Sequence, residues 1–385
     1  MLTLIAQTDV YAPEPIGVKD ILIAGDRIIR IADRIEIGGI DVRVIDRKGF
    51  RTIPGLIDNH VHVLGGGGEA GYQSRVPEIT IDTLIRAGIT TVIGLLGTDG
   101  FTRDMKSLIA KVKALKYEGM SAYAMTGSYR VPPITLFKTI EDDLLMLEEI
   151  IGLGEIAIAD HRSSRPTVEE LTKAIAATYV GGLLSKKAGV TNVHVGNGKG
   201  GLSILFRVLE GSDIPVSKIH PTHINRSHEL LDQGIEYSKT YGASIDFTTG
   251  LKEGPLSAYQ AYARAIEKGV DPERITFSSD GQGSLPVFDQ NGGFVRMGIG
   301  NVNTLYQSVM KAHRESGLPL ELCLGPATTH PAKIYHLKGK GRIAEGYDAD
   351  LLTIDGNDRI HDVFLRGKLA MEDRALRIEG TFSKA

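Results

Sequence analysis

Pro54-Gly-Leu-Ile-Asp58-Asn-His60-Val-His62 is the stretch on which the reading of the whole chain turns. It opens on an apolar run and ends on two histidines separated by one residue. Side chains two apart on a strand point to the same face, so both imidazoles can meet one ion if the segment, expected as a strand over residues 57–63, is extended. An HxH alone is a weak sign of metal binding. Its place at a strand end matters more than its spelling.

Further along the chain, short apolar runs of β type recur at residues 91–96, 121–126, 155–159, 192–195, 218–223, 244–248 and 275–279. Between them lie stretches with apolar residues at spacings of three and four, such as 142–150, 168–175 and 228–237, which read as amphipathic helices. Strands alternating with helices are the signature of a parallel sheet, and eight strands is the number that closes a barrel. The expected fold is therefore α/β, a (β/α)8 TIM barrel over residues 54–337. Residues 1–53 and 338–385 instead carry short β runs with turns, for example around Gly25-Asp26, and predict a small β-sandwich domain formed by both termini.

Composition agrees with this and excludes other classes. The 385 residues are 42% hydrophobic with a formal charge of −3, enough to bury a large core. Cys323 is the only cysteine, which rules out an internal disulfide framework, suits a reducing compartment and reads as packing. The first residues lack a basic, apolar leader, and no run approaches a membrane span, so a cytoplasmic protein without a membrane partner is expected. Lys and Arg are interspersed with Asp and Glu without a basic stripe, so no nucleic-acid partner is expected.

Three further strand ends carry metal-ligand types: His194 in Asn-Val-His-Val-Gly, His223 in Pro-Thr-His-Ile-Asn and Asp280 in Phe-Ser-Ser-Asp-Gly. Taken singly, each could be an ordinary hydrogen-bonded polar residue. In a barrel, however, the C-terminal strand ends converge at one mouth, where His60, His62, His194, His223 and Asp280 would share a site. Imidazole and carboxylate ligands suit Zn²⁺ best, with Mn²⁺, Co²⁺, Ni²⁺ and Fe²⁺ as compatible alternatives.

This arrangement resembles the amidohydrolase superfamily, whose pattern is HxH on strand 1, a carboxylated lysine on strand 4, histidines on strands 5 and 6 and an aspartate on strand 8. Within it, Gly65-Gly-Gly-Gly-Glu69, Gly97-Thr-Asp99, Gly127-Ser-Tyr129, Asp160-His-Arg162-Ser, Thr222-His-Ile-Asn-Arg226 and Asp280-Gly-Gln-Gly-Ser284 look like the isoaspartyl dipeptidase family. One departure stands out: where that family has its carboxylated lysine, this chain has Glu155. A glutamate can still offer two oxygens to two cations, but its reach is about 3–4 Å shorter. Either the strand moves inward or the second metal is held more weakly. Lys199, in a glycine loop beyond strand 5, is a poorer candidate for the carbamate and is expected to be exposed.

The resemblance implies hydrolysis of β-aspartyl dipeptides by a hydroxide bridging two Zn²⁺ per subunit, with Asp280 as general base and acid and Tyr129 donating to the oxyanion. It also implies that Glu69 holds the substrate amine, Gly67, Thr98 and Ser284 the α-carboxylate, and Arg162 and Arg226 the carboxylate groups. A homo-oligomer acting on a small dipeptide is implied as well. Two other readings stay open on the sequence: another amidohydrolase reaction, such as cyclic-amide opening or N-deacylation, or a binding or assembly protein with impaired catalysis.

Overall fold

The computed structural model describes residues 2–39, 41–251, 256–288 and 294–381, so residues 1, 40 and 382–385 of the expected terminal module lie outside them. The chain begins with β1 (Leu2–Tyr11), β2 (Pro15–Ala24), β3 (Arg27–Ala32), β4 (Val42–Asp46) and β5 (Arg51–Pro54). Then come β6 (Leu56–Val61), β7 (Ile89–Gly94), β8 (Ser121–Thr126), β9 (Ile150–Ile158), β10 (Val190–Val195), β11 (Ile219–Thr222), β12 (Ile245–Thr248) and β13 (Ile275–Ser278). A hairpin, β14 (Ser284–Phe288) and β15 (Phe294–Ile299), precedes β16 (Leu351–Ile354), β17 (Ile360–Leu365), β18 (Lys368–Glu372) and β19 (Ala375–Leu376).

Strands β6 to β11 form one parallel sheet in chain order, and β12 pairs with β13 in parallel beside it. Side chains link the two sheets at both margins. Thr222 Oγ1 donates to Asp246 Oδ2 at 2.7 Å between β11 and β12, and the Ser279 N–H donates to Asp58 Oδ1 at 3.1 Å between the end of β13 and β6. Val61 and Gly281 also form a parallel bridge. The strands are buried along their length, as parallel strands covered by helices must be. Helix Val168–Ser185 illustrates the covering layer: a Thr167–Glu170 capping box starts it, and Leu171, Ala174, Ile175 and Thr178 form its buried stripe.

The strand ends differ from expectation mainly at β9, which begins at Ile150, inside the predicted helix over residues 142–150. That helix is Ile140–Met146. A Cβ on Gly152 would lie 2.2 Å from the Val190 carbonyl oxygen. Glycine here permits close pairing of β9 with β10 rather than a turn.

The termini meet in one nine-stranded sheet, ordered β19-β18-β17-β16-β5-β1-β2-β3, with β4 on β1. Its pairing changes midway along β1: Leu2–Ala6 pair with β4, whereas Asp9 and Val10 pair with β5. Between the two halves Gln7 has φ 56° and the register with β2 shifts, so a bulge redirects the strand. Ile5, Ile21, Ile28, Leu351 and Phe364 form the core of this part. Cys323 is buried, and burial pushes its thiol up to about 12, in keeping with packing. No helix among the described residues is long and apolar enough to cross a membrane.

Candidate active site

His60 and His62 lie at the end of β6, Glu155 on β9, His194 on β10, His223 just after β11 and Asp280 just after β13. The structure brings all six together. Glu155 is central: Oε1 lies 2.6 Å from His194 Nδ1 and 3.1 Å from His223 Nε2, while Oε2 lies 3.5 Å from His60 Nε2 and 3.7 Å from His62 Nε2. Each carboxylate oxygen therefore faces its own pair of imidazoles. Asp280 Oδ1 adds a contact of 3.1 Å to His62 Nε2. His60, His62 and Glu155 form one group, and Glu155, His194 and His223 another, with one ligand atom from each residue within 4.8 Å of the others.

Backbone detail explains how a short side chain gets there. Thr191 pairs with Leu153 and Val193 with Ile156, so Gly154 and Glu155 together oppose Asn192 alone. This bulge bends β9 locally, at the residue that stands in place of a longer ligand. Ala159 (φ 50°), His223 (φ 66°) and Asp280 (φ 52°), each just past a strand end, adopt left-handed backbone. Such conformations are uncommon for these residue types and cluster where a side chain must be aimed.

The residues suit divalent transition cations. His60 Nδ1 and Nε2, His62 Nδ1 and Glu155 Oε2 are buried without a hydrogen-bond partner. Buried polar atoms left unpaired are costly, and two of these, His60 Nε2 and Glu155 Oε2, face each other across 3.5 Å as cation ligands would. The electrostatics agree. Burial alone would raise the Glu155 carboxyl, but the His60, His194 and His223 imidazoles outweigh it and hold it well below the usual range. Burial would lower His60, yet Glu155 and Asp280 bring it up to about 9. Asp280 is likewise depressed despite burial, by His62, His223 and His60. Two buried carboxylates set among imidazole nitrogens make a site that attracts a cation.

The adjoining pocket is lined by His62, Gly66, Gly67, Glu69, Gly97, Thr98, Tyr129, Arg162, Arg226, Asp280 and Ser284. Glu69 Oε1 accepts from Arg162 Nη1 at 3.0 Å and from Ser284 Oγ at 2.6 Å. Arg226 Nε is buried without a hydrogen-bond partner, in a side chain that lines the same pocket. Tyr129 Oη lies 2.9 Å from His194 Nδ1, and burial holds its phenol well above the ordinary value, so it remains a proton donor. The glycine run is shaped for this wall: Gly67 has φ 80°, and a Cβ there would lie 2.3 Å from the Ser74 carbonyl oxygen. Lys199 is exposed, outside the cluster.

Several residues with a part in the site had no role in the sequence reading. Arg103 is buried and donates to the Leu64 and Val76 carbonyls at 3.1 and 2.9 Å and to Asp99 Oδ2 at 3.2 Å, pinning the glycine run against the next loop. A lone arginine in a loop gives no signal of this. Asp58 could have been noticed, since it lies two residues before His60 on the same strand face; it accepts from Ser279, and burial raises it to about 7. Asp160 was visible only as part of a motif. A third grouping, His361, Asp362 and Asp373, is met by Arg47, whose Nε and Nη2 bond Asp362 at 2.5 and 2.9 Å, so its charge is already matched. A further cavity, around Lys333, His336 and Arg342, contains none of the clustered ligands.

A sequence profile of the Amidohydrolase family matches residues 52–370, and the chain belongs to that family. Its likeness to individual proteins is sharper than that class. The β-aspartyl dipeptidase of the thermophilic, keratin-degrading Fervidobacterium islandicum AW-1, solved in complex with the β-Asp-Leu dipeptide, is 41% identical, with a TM-score of 0.94 over 99% of each chain. A second structure of β-aspartyl dipeptidase from that organism is 39% identical, with a TM-score of 0.91 over 99% of this chain and 100% of the other. Among curated relatives, an allantoinase of Desulfitobacterium hafniense is 22% identical over 94% of this chain and 89% of its own length.

Proposed function

We propose that the chain is a cytoplasmic metallo-dipeptidase that hydrolyses β-aspartyl dipeptides. One observation carries the reading: Glu155 divides its two oxygens between two histidine pairs, beside a wall that combines one carboxylate, Glu69, with two guanidiniums, Arg162 and Arg226. The β-aspartyl dipeptidase likeness over the whole chain supports it. The eight parallel strands, with hydrogen bonds to Asp246 and Asp58 at the two margins, support a single (β/α)8 barrel over residues 54–337. The shared terminal sheet supports a β-sandwich unit from residues 1–53 and 338–385.

His60 and His62 would hold one cation, His194 and His223 a second, with Glu155 reaching both and Asp280 beside the first pair; Zn²⁺ suits these donors best. When bound, the cations supply Lewis acidity, bringing the pKa of a water towards neutrality and polarising the substrate carbonyl. Asp280 takes the proton from the attacking water and returns it to the departing amine, since its carboxylate is ionised well below neutral pH. Tyr129 donates its phenolic hydrogen to the developing oxyanion.

Recognition follows from charge. Glu69 receives the substrate ammonium, and in doing so trades its contact with Arg162 for the ligand. Gly67, Thr98 and Ser284 receive the α-carboxylate, and Arg162 and Arg226 the carboxylate groups. A short zwitterion satisfies all of these, and a neutral cyclic amide would leave Arg226 unmatched. We read the protein as a homo-oligomer by its family likeness, and as one without membrane or nucleic-acid partners by its balanced charge. The test is to give metal-replete protein β-Asp-Leu and α-Asp-Leu and measure free leucine. Release from the β-linked dipeptide alone is expected, and release from neither overturns the reading.

A further inference from the structure

Asp160 has no part in the reaction just described, yet its side chain is only 4% exposed and both of its oxygens are fully engaged. Oδ1 accepts from the Arg162 backbone N–H at 2.8 Å and from Arg162 Nε at 2.9 Å. Oδ2 accepts from Arg162 Nη2 at 2.8 Å and meets His194 Nε2 at 2.9 Å. The backbone contact alone would be an ordinary turn made by an aspartate two residues before its donor. The other three contacts reach in two directions, one into the substrate pocket and one to the histidine cluster.

We propose that Asp160 is a positioning residue that couples Arg162 on the substrate side to His194 on the metal side through one carboxylate. The inference rests on the function proposed above. On the histidine side, a carboxylate at Nε2 draws the single N–H of a neutral imidazole to that nitrogen and leaves the Nδ1 lone pair facing Glu155 and Tyr129. Nδ1 is the atom 2.6 Å from Glu155 Oε1, so the acceptor that a cation needs is aimed by Asp160 from behind.

On the arginine side, Asp160 takes Nε and Nη2 in a two-point fork, which fixes the plane of a guanidinium that otherwise has four rotatable bonds. Only Nη1 is left to face the pocket, where it meets Glu69 Oε1 at 3.0 Å, and the guanidinium carbon sits 5.2 Å from the Tyr129 ring centre. Holding a recognition group in its binding orientation before the ligand arrives lowers the ordering cost of binding. Because Oδ2 is shared, a change that frees Arg162 also frees His194. Arg162 can be removed, by contrast, without touching the Asp160–His194 contact.

That asymmetry is the test. Arg162→Ala is expected to raise KM for β-Asp-Leu by tens of fold while keeping wild-type metal content by elemental analysis. Asp160→Asn is expected to raise KM by about tenfold and also to weaken zinc binding about 10–100-fold in chelator competition, the range for loss of a carboxylate behind a metal-bound histidine. The loop has support besides this side chain, since Ser163 Oγ donates to the Ala157 carbonyl at 2.5 Å and the Ser163 N–H to the Asp160 carbonyl at 3.1 Å. If Asp160→Asn does not fold, Asp160→Glu, which keeps the charge and displaces it by one methylene, is put through the same two measurements. Wild-type zinc affinity in the folded Asp160 variant, or an unchanged KM with only a lower melting temperature, overturns the proposal. The zinc measurement needs no substrate, so wild-type protein inert towards β-Asp-Leu would defeat the proposed function while the coupling to His194 was still judged.

Discussion

Two buried clusters of charge lie at opposite ends of the parallel strands, and they are built differently. At the N-terminal ends, Lys340 Nζ contacts Asp348 at 2.6 Å together with Asp350 and Ser121 Oγ, and Arg27 Nη1 meets Asp348 Oδ1 at 2.5 Å. Asp350 Oδ1 accepts the Arg366 N–H at 2.7 Å. Cations and anions there are matched, and the cluster ties the terminal sheet to the first residue of β8. At the C-terminal ends, four imidazoles surround Glu155, and several of their atoms have no partner. A matched cluster is explained by folding alone. An unmatched one among buried residues is explained by something that binds.

The contrast is open to attack at both ends. The largest effect is expected from Asp280→Asn, which removes the proton carrier and should lower kcat by about 10²–10⁴-fold while the protein stays folded; steady-state assay of β-Asp-Leu hydrolysis checks it. Glu155→Gln should come next. It keeps the shape but removes the charge shared by the two histidine pairs, so elemental analysis is expected to find one metal position depleted, and two retained metals per chain would contradict the central role of Glu155.

At the other end, Lys340→Met should cost about 3–5 kcal/mol of stability in urea unfolding, because it strands buried carboxylates. The pH dependence has a definite sign. Burial raises the Asp350 carboxyl even with Lys340 beside it, and removing the lysine raises it further. A carboxyl whose folded pKa lies above its unfolded value favours the folded state at low pH and loses that contribution as pH rises through the folded value. The Lys340→Met deficit should therefore be smaller at pH 5 than at pH 8, with kcat of the folded protein unchanged. The smallest effect belongs to Lys199→Met: an exposed lysine outside the cluster should leave metal content, rate and stability within about 0.5 kcal/mol of wild type. Neither protein should need bicarbonate, and a bicarbonate requirement would point to a lysine carbamate.

Much of the site was legible because its residues sit at strand ends and strands betray themselves locally. His60 and His62 were readable as a pair from their spacing on one strand, and His194, His223 and Asp280 from the apolar runs before them. β9 was harder. It starts at Ile150, before the expected strand over residues 155–159, and the reason for Gly152 there, the nearness of Val190, belongs to another strand. Arg103 and Asp160 were harder still, since an arginine or aspartate acquires such a part only from the carbonyls and imidazole it happens to meet.

By itself the amino-acid order determined the alternation of strands and helices and the chemical kinds of ligand available, because periodicity and side-chain identity are properties of neighbours along the chain. Only the tertiary structure decided that Glu155 stands between two histidine pairs, that a bulge falls at Glu155, and that Asp160 faces both Arg162 and His194. Those are contacts between separate strands and loops, whose register is set by the packing of the whole sheet rather than by any local stretch.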